Sequence, residues 1–150
     1  MKLLHFLLFS FILLACKNTA VKAQDQHKTL VGTYENSKLT LTADKHKMLA
    51  AYNANLLKLS DIDAKFTEII IQSTSDNQYY LVFKSDTYHS SFIITAVDSK
   101  LYALNTISCT TSDCASESFG CTPKSNGVAC FPCSNNGKCT KTVSSGSLID

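Results

Sequence analysis

Six of the seven cysteines lie in one short stretch of the chain, and their sulfur atoms offer the clearest chemistry in the sequence. The stretch follows the spacing C-x4-C-x6-C-x8-C-x2-C-x5-C, and the residues between the cysteines are mostly Ser, Thr, Asn, Gly and Pro. In an oxidising compartment this pattern is typical of a disulfide framework, whose pairing the sequence does not define. The candidate half-cystines are Cys109, Cys114, Cys121, Cys130, Cys133 and Cys139.

The same thiols allow a metal site as an alternative. Cys109 with Cys114, and Cys130 with Cys133, could present four thiolates to zinc or to an iron–sulfur cluster. The spacing of the four cysteines is irregular, however, and an exported chain crosses the membrane unfolded and free of metal. We therefore expect no bound metal and no cofactor.

The motif Cys130-Phe131-Pro132-Cys133 resembles the C-x-P-C site of thioredoxin-like oxidoreductases. The resemblance implies a thiol-disulfide oxidoreductase that uses Cys130 and Cys133 as its redox pair. In that family the motif opens a helix, which acidifies the first thiol, whereas here the turn-forming residues 134–137 (SNNG) follow. The redox enzyme is therefore the alternative to a non-catalytic role.

Hydrolytic chemistry has no recognisable motif in the sequence. G-x-S-x-G and H-E-x-x-H are both absent, and the glutamates Glu35, Glu68 and Glu117 are isolated from one another. His46 falls on the polar side of a predicted helix, and His89 falls in a turn beside a strand. We predict no catalytic residues and no enzyme activity.

The N-terminus has the pattern of a secretory signal. A positive Lys2 precedes an apolar run over residues 3–14, which is too short to span a bilayer as a helix. The run ends in Leu13-Leu14-Ala15-Cys16, which resembles the lipobox of bacterial lipoproteins. The resemblance implies cleavage after residue 15, diacylglycerol on the Cys16 sulfur and an acyl chain such as palmitate on the new amino group. An ordinary signal peptide cut elsewhere is the alternative.

The resemblance also implies a location. Several acyl chains hold a protein on a membrane essentially permanently, because each buried methylene contributes about 0.8 kcal/mol. Lys17 stands where an aspartate would signal retention in the inner membrane, so we expect a bacterial envelope protein in the outer membrane, periplasmic or surface-exposed. The membrane is then one partner, and a protein or peptide is a possible second partner.

Charge argues against a nucleic-acid partner. The basic residues are 14 lysines without a single arginine, against 12 acidic residues, and they form no stripe. Binding to a row of phosphates favours clustered positive charge, and arginine supplies the bidentate contacts to phosphate and guanine. We expect no nucleic acid to bind.

Hydrophobic periodicity divides the rest of the chain into elements. Residues 43–59 predict a helix, because five apolar residues fall on one face. Alternating β-branched and aromatic residues predict short strands that polar turns separate. The helix face consists of Met48, Leu49, Tyr52, Leu56 and Leu57; the predicted strands cover residues 29–34, 38–42, 66–73, 78–84, 91–97 and 100–105.

These elements predict an α+β fold, with one helix packed on a small antiparallel β-meander and a disulfide-rich irregular C-terminal cap. The cap is expected to cover the sheet face opposite the helix. We expect a lipid-anchored envelope protein with a non-catalytic binding or structural role. The predicted parts are a signal peptide (1–15), a lipidated flexible tether (16–28), the α+β domain (29–106), the cap (107–141) and a flexible tail (142–150).

Overall fold

A computed structural model describes residues 28–105, 107–117, 121–143 and 148 of the chain. The predicted signal peptide, the lipobox and almost all of the tether lie outside the described residues. The elements are β1 (Lys28–Glu35), β2 (Lys38–Leu41), α1 (Lys45–Ser60), β3 (Glu68–Ser73), β4 (Tyr79–Lys84), β5 (His89–Val97), β6 (Lys100–Leu104), β7 (Ile107–Thr111) and β8 (Thr140–Val143).

All eight strands belong to one antiparallel sheet. Six of them follow the order β2-β1-β6-β5-β4-β3, while β7 pairs with β5 and β8 pairs with β7. The outer strands β2 and β3 approach each other, so the sheet is nearly closed and barrel-like.

The predicted α+β fold class is therefore wrong. Over the described residues the protein is mostly β, a nearly closed sheet with one helix and a disulfide-rich C-terminal region. β7 comes from the segment predicted as an irregular cap, and β8 spans the predicted boundary at 141/142, so residues 142–143 are a strand and not part of a flexible tail. The Ser, Thr and Cys side chains of both strands lack the apolar alternation that reveals a strand. The N-terminal strands β1 and β2 also join this sheet, through the pairing of β1 with β6.

One edge of β5 pairs with two different strands, β6 and β7. Both strands run along the same edge of β5, β6 beside residues 94–97 and β7 beside residues 89–91. Their other edges pair with different strands, β1 for β6 and β8 for β7. Asn105 lies between β6 and β7 and its Nδ2 donates to Thr29 Oγ1 at 2.6 Å. Because β7 precedes the irregular residues and β8 follows them, the cysteine-rich segment joins the sheet at both of its ends.

The helix forms close to its predicted position. The Asp44 carboxylate caps it by accepting the backbone N–H groups of His46 and Lys47 at 3.0 and 3.1 Å. Its inner face buries Met48, Tyr52 and Leu56. Within the described part of the chain no helix is both long enough and apolar enough to cross a membrane.

The two faces of the sheet carry separate apolar clusters. The helix covers the inner cluster, which includes Val31, Phe66, Phe83, Phe92 and Leu101. The outer cluster of Tyr80, Val82 and Ile93 lies on the opposite face.

The cysteine-rich segment contacts that opposite face. Tyr80 Oη donates to the Pro123 carbonyl at 3.4 Å, and Ser91 Oγ donates to the Cys121 carbonyl at 3.2 Å. These bonds confirm the prediction that the segment covers the sheet face opposite the helix.

Candidate functional site

Three disulfides cross-link the C-terminal region, as the sequence predicts. The bonded pairs are Cys109–Cys130, Cys114–Cys133 and Cys121–Cys139, with Cα atoms 5.8, 5.8 and 5.5 Å apart. The first three cysteines therefore pair with the last three in the same order. Only Cys109 lies in a strand, so the first bridge ties the irregular segment to the sheet.

The C-x-P-C motif does not form a redox pair in the structure. Cys130 is bonded to Cys109 and Cys133 is bonded to Cys114. Residues 131–133 have no helical structure, and a turn follows at Ser134 and Asn135. The feature that acidifies a thiol in thioredoxin-like sites, a helix N-terminus at the first cysteine, is missing at Cys130.

Three of the six sulfur atoms lie close together. The Sγ atoms of Cys109, Cys130 and Cys139 all lie within 4.8 Å of one another. They differ from the predicted metal quartet, because Cys139 joins the group while Cys114 and Cys133 form a separate disulfide. We call these three residues the sulfur cluster. All three sulfurs form disulfide bonds, so a thiolate site would require reduction of two bridges.

Thr111, at the end of β7, organises the start of the irregular segment. Its Oγ1 donates to the Lys138 carbonyl at 2.7 Å and accepts the backbone N–H groups of Asp113 and Cys114 at 3.0 and 3.3 Å. The Asp113 carboxylate accepts the backbone N–H of Lys138 at 2.7 Å, which lowers the pKa of Asp113. These bonds fix the backbone of Lys138 beside β7.

A polar cleft opens where the helix end, the irregular segment and two strands meet. Its volume is about 340 Å³. The walls come from the end of the helix, the loop before β5, the end of β7 and the start of β8. The lining residues are Ser60, Asp61, Ile62, Tyr88, Thr110, Thr111, Ser112, Lys138 and Thr140.

The floor of the cleft rests on a buried network of hydroxyl groups. Thr110, which lines the cleft and is 1% exposed, shares a hydrogen bond with Ser90 Oγ at 2.7 Å. Tyr52 Oη from the helix reaches Ser90 Oγ at 2.5 Å. Burial raises the pKa of Tyr52, so its hydroxyl stays protonated in the physiological range. The floor is therefore neutral and fixed by hydrogen bonds from three elements.

A second hydroxyl pair fixes the rim of the cleft. Ser60 Oγ, in the last residue of the helix, and Thr142 Oγ1, in β8, lie 2.5 Å apart. Asp61 follows in the left-handed conformation with φ of 56°, and its backbone N–H closes the helix on the Leu57 carbonyl. The helix end and β8 are thus joined directly, which makes the cleft a preformed feature.

The charged and titratable groups of the cleft are few. Among the described residues its charged members are Asp61 and Lys138, and neither of the described histidines nor any described cysteine lines it. His46 is exposed on the helix, while His89 is 1% exposed and lies in β5. Neither histidine contributes to the cleft, whose lining combines hydroxyl groups with one carboxylate and one ammonium group.

Sequence reasoning missed the cleft altogether. Its residues come from four separate segments, and none of them belongs to a recognisable motif. The abundance of Ser and Thr around β7 and β8 was the one available signal, and it is equally typical of a loop. Only the pairing of β7 with β5 and β8 brings these hydroxyl groups beside the helix end.

Comparison with known proteins gives no relative from which a role could be transferred. No protein-family model, curated protein or solved structure matches the chain.

Proposed function

We propose that this chain is a lipid-anchored bacterial envelope protein with a non-catalytic binding role, and that the polar cleft is its binding site. The single observation that carries the binding role is the cleft itself. Its walls combine the helix end with the cross-linked segment, and fixed hydroxyl pairs hold both in place. Small-molecule sites are usually concave, largely preformed and lined mostly by apolar side chains with a few convergent polar groups. This cleft shares the concave shape and the convergent polar groups, but its lining is more polar.

The resemblance of Leu13-Leu14-Ala15-Cys16 to a lipobox supports the anchor. The disulfides also support an exported location, since such bridges persist in oxidising compartments. Lys17 in place of an aspartate favours the outer membrane.

The anchor is tested by the variant Cys16→Ser. Without the sulfur that carries the diacylglycerol, the protein should leave the membrane fraction and collect in the soluble fraction. Cys114→Ser with Cys133→Ser is the matched control, because it replaces cysteines with serines without touching the lipobox, and this variant should stay in the membrane fraction. An unchanged membrane association of Cys16→Ser would contradict the proposal.

The binding role is tested by titrating the full chain with small polar molecules of three classes: saccharides, amino acids and inorganic phosphate. The protein is held in a detergent without sugar headgroups, and backbone amide chemical shifts are recorded. At least one class should perturb the amides that line the cleft, and the compound should be recovered unchanged. A cleft that responds to none of them, or a compound that is converted, contradicts a non-catalytic binding role.

A metal-binding role is the second candidate, because the sulfur cluster brings three sulfur atoms within 4.8 Å of one another. Reduction of the Cys109–Cys130 and Cys121–Cys139 disulfides by a phosphine adds two electrons and two protons to each bridge. A soft cation would have to bring three of the resulting thiols back to the spacing that the disulfides impose on them, and thiolates favour Cu(I) and zinc.

The metal role predicts that the full chain, once reduced and freed of phosphine, binds one Cu(I) or zinc ion by elemental analysis. The oxidised chain should bind none. Cys139→Ser should abolish the stoichiometric metal, whereas Cys133→Ser should retain it, since Cys133 lies outside the cluster. Equal metal content in both variants would rule out the cluster as the site.

A further inference from the structure

We propose that the cleft binds a saccharide of one or two rings; the inference rests on the proposed binding role and names its ligand class. Six of the nine lining residues carry a hydroxyl group: Ser60, Tyr88, Thr110, Thr111, Ser112 and Thr140. A hydroxyl both donates and accepts a hydrogen bond. Saccharide hydroxyls have the same dual character, so they complement the cleft hydroxyls that are not buried; Thr110 and Thr111, 1% and 3% exposed, form the floor instead.

Two of these hydroxyl groups are free to contact a ligand. Within the described residues, the side-chain oxygens of Tyr88 and Thr140 have no hydrogen-bond partner. The other four are already held, Thr110 by Ser90, Ser60 by Thr142, Thr111 by the Lys138 carbonyl and Ser112 by Asp113. Thr111 Oγ1 also accepts two backbone N–H groups and has no capacity left for a ligand, whereas Ser112 Oγ, which donates once, keeps lone pairs to accept with. The cleft therefore offers two free groups above a fixed polar surface.

The wall chemistry disfavours other ligand classes. A phosphate group favours several cations or an arginine fork, but among the described residues Lys138 is the single basic residue of the lining. An apolar ligand favours apolar walls, and here Ile62 and the Tyr88 ring alone supply them. Tyr88 is partly buried against the inner cluster and also lines the cleft, so the exposed part of its ring is the apolar surface that a sugar ring would contact.

Asp61 and Lys138 are the two charged residues that would orient a bound sugar in the cleft. The carboxylate accepts hydrogen bonds and the ammonium donates them, so each orients a hydroxyl or an amide substituent of the sugar. The volume of about 340 Å³ lies at the lower end of the range of roughly 300 to 1,000 Å³ for small-molecule sites. That volume suits a monosaccharide or a disaccharide rather than a long chain.

The experiment uses the full chain in a detergent without sugar headgroups, and records backbone amide shifts. The probes are glucose, N-acetylglucosamine, cellobiose and chitobiose, with glycine and inorganic phosphate as the other ligand classes. We expect at least one saccharide to bind with a dissociation constant on the order of 1 mM. The shifts should concentrate at residues 60–62, 110–112 and 138–140.

Two substitutions that each remove one oxygen test the assignment. Tyr88→Phe keeps the ring and Thr140→Val keeps the shape, so each should weaken saccharide binding about fivefold through the loss of one hydrogen bond. Tyr102→Phe and Thr40→Val are the matched controls, because both residues lie outside the cleft. They should leave the affinity unchanged.

The outcomes separate this inference from the proposed function. If glycine or phosphate shifts the cleft amides while no saccharide does, the ligand class is wrong and the binding role stands. If no probe shifts them, both fail. If a saccharide binds equally well to Tyr88→Phe, Thr140→Val and the parent chain, it binds outside the cleft and the inference is overturned.

Discussion

Tyr52 joins the apolar core to the polar floor of the cleft. Its ring stacks on Phe66 with centroids 5.5 Å apart and meets Phe92 edge to face at 4.9 Å. Its hydroxyl reaches Ser90 and Thr110 on two neighbouring strands. The helical periodicity identified Tyr52 as a core residue, but only the fold shows the second role, because both hydroxyl partners are remote in sequence.

His89 is a buried titratable residue on the outer face of β5. Neither ring nitrogen makes a hydrogen bond of ordinary geometry within the described residues. Burial lowers the pKa of His89, and the positive charge of Lys84 adds to the decrease, while the backbone of Ala115 opposes it. The prediction of a solvated turn residue is wrong, because His89 begins β5 and pairs with Lys84 on one side and Thr111 on the other.

The lowered pKa of His89 predicts a loss of stability in mild acid. Unfolding restores the ordinary pKa of about 6.5, so the unfolded chain binds the proton more readily. Stability is then full above pH 6.5 and falls below it, by at most about 1.4 kcal/mol per pH unit. Denaturant unfolding of the parent chain between pH 7 and 5 measures this decline.

The variant His89→Leu should lose most of that decline and should be at least as stable as the parent chain at pH 5. His46→Gln is the matched control, because His46 is exposed on the helix and its removal should leave the pH dependence intact. A parent chain whose unfolding free energy is flat over this pH range would show that His89 does not titrate there.

At the scale of elements, prediction succeeded where the apolar pattern is strong. The helix was expected over residues 43–59 and spans Lys45–Ser60. The alternation of residues 78–84 also gave β4 correctly. The helix buries one face of large apolar side chains and β4 buries both of its faces, so the local pattern of each segment carries the information.

Prediction failed where strands depend on remote partners. β7 has the sequence ISCTT and β8 the sequence TKTV, and both read as polar loops. They are strands because β7 extends along the open part of the β5 edge and β8 adds to β7. The cleft shares this origin, since its hydroxyl groups meet only after these pairings form.

Close approach of strands also imposes a local requirement on β1. A side chain at Gly32 would place Cβ 2.1 Å from the Thr40 carbonyl oxygen, and Ile71 lies 3.3 Å away. The pairing of β1 with β6 shifts register between Leu30 and Gly32. Glycine is therefore needed where the sheet bends towards closure, a need that the sequence shows only as a glycine inside a predicted strand.

At the scale of the whole molecule, the disulfides and the sheet stabilise different parts. The bridges span 21, 19 and 18 residues. In the chain-entropy account, each bridge over a loop of this size adds about 3 kcal/mol to the free energy of unfolding, because it restricts the unfolded chain. Strands β3 to β6 instead pair with sequence neighbours around a large apolar core. Reduction should therefore act first on residues 112–139, which lie between β7 and β8 and contain five of the six half-cystines.

Hydrogen exchange of the full chain, measured before and after reduction, tests this order. We expect residues 112–139 to lose protection first, β7 and β8 next, and β3 to β6 only in part, because local strand pairing persists after the cross-links are lost. A chelator alone should change nothing, which serves as the control for a metal-held segment. If residues 112–139 stay protected after reduction, or if the chelator exposes them while the reductant does not, the disulfides do not hold this segment and a metal takes their place.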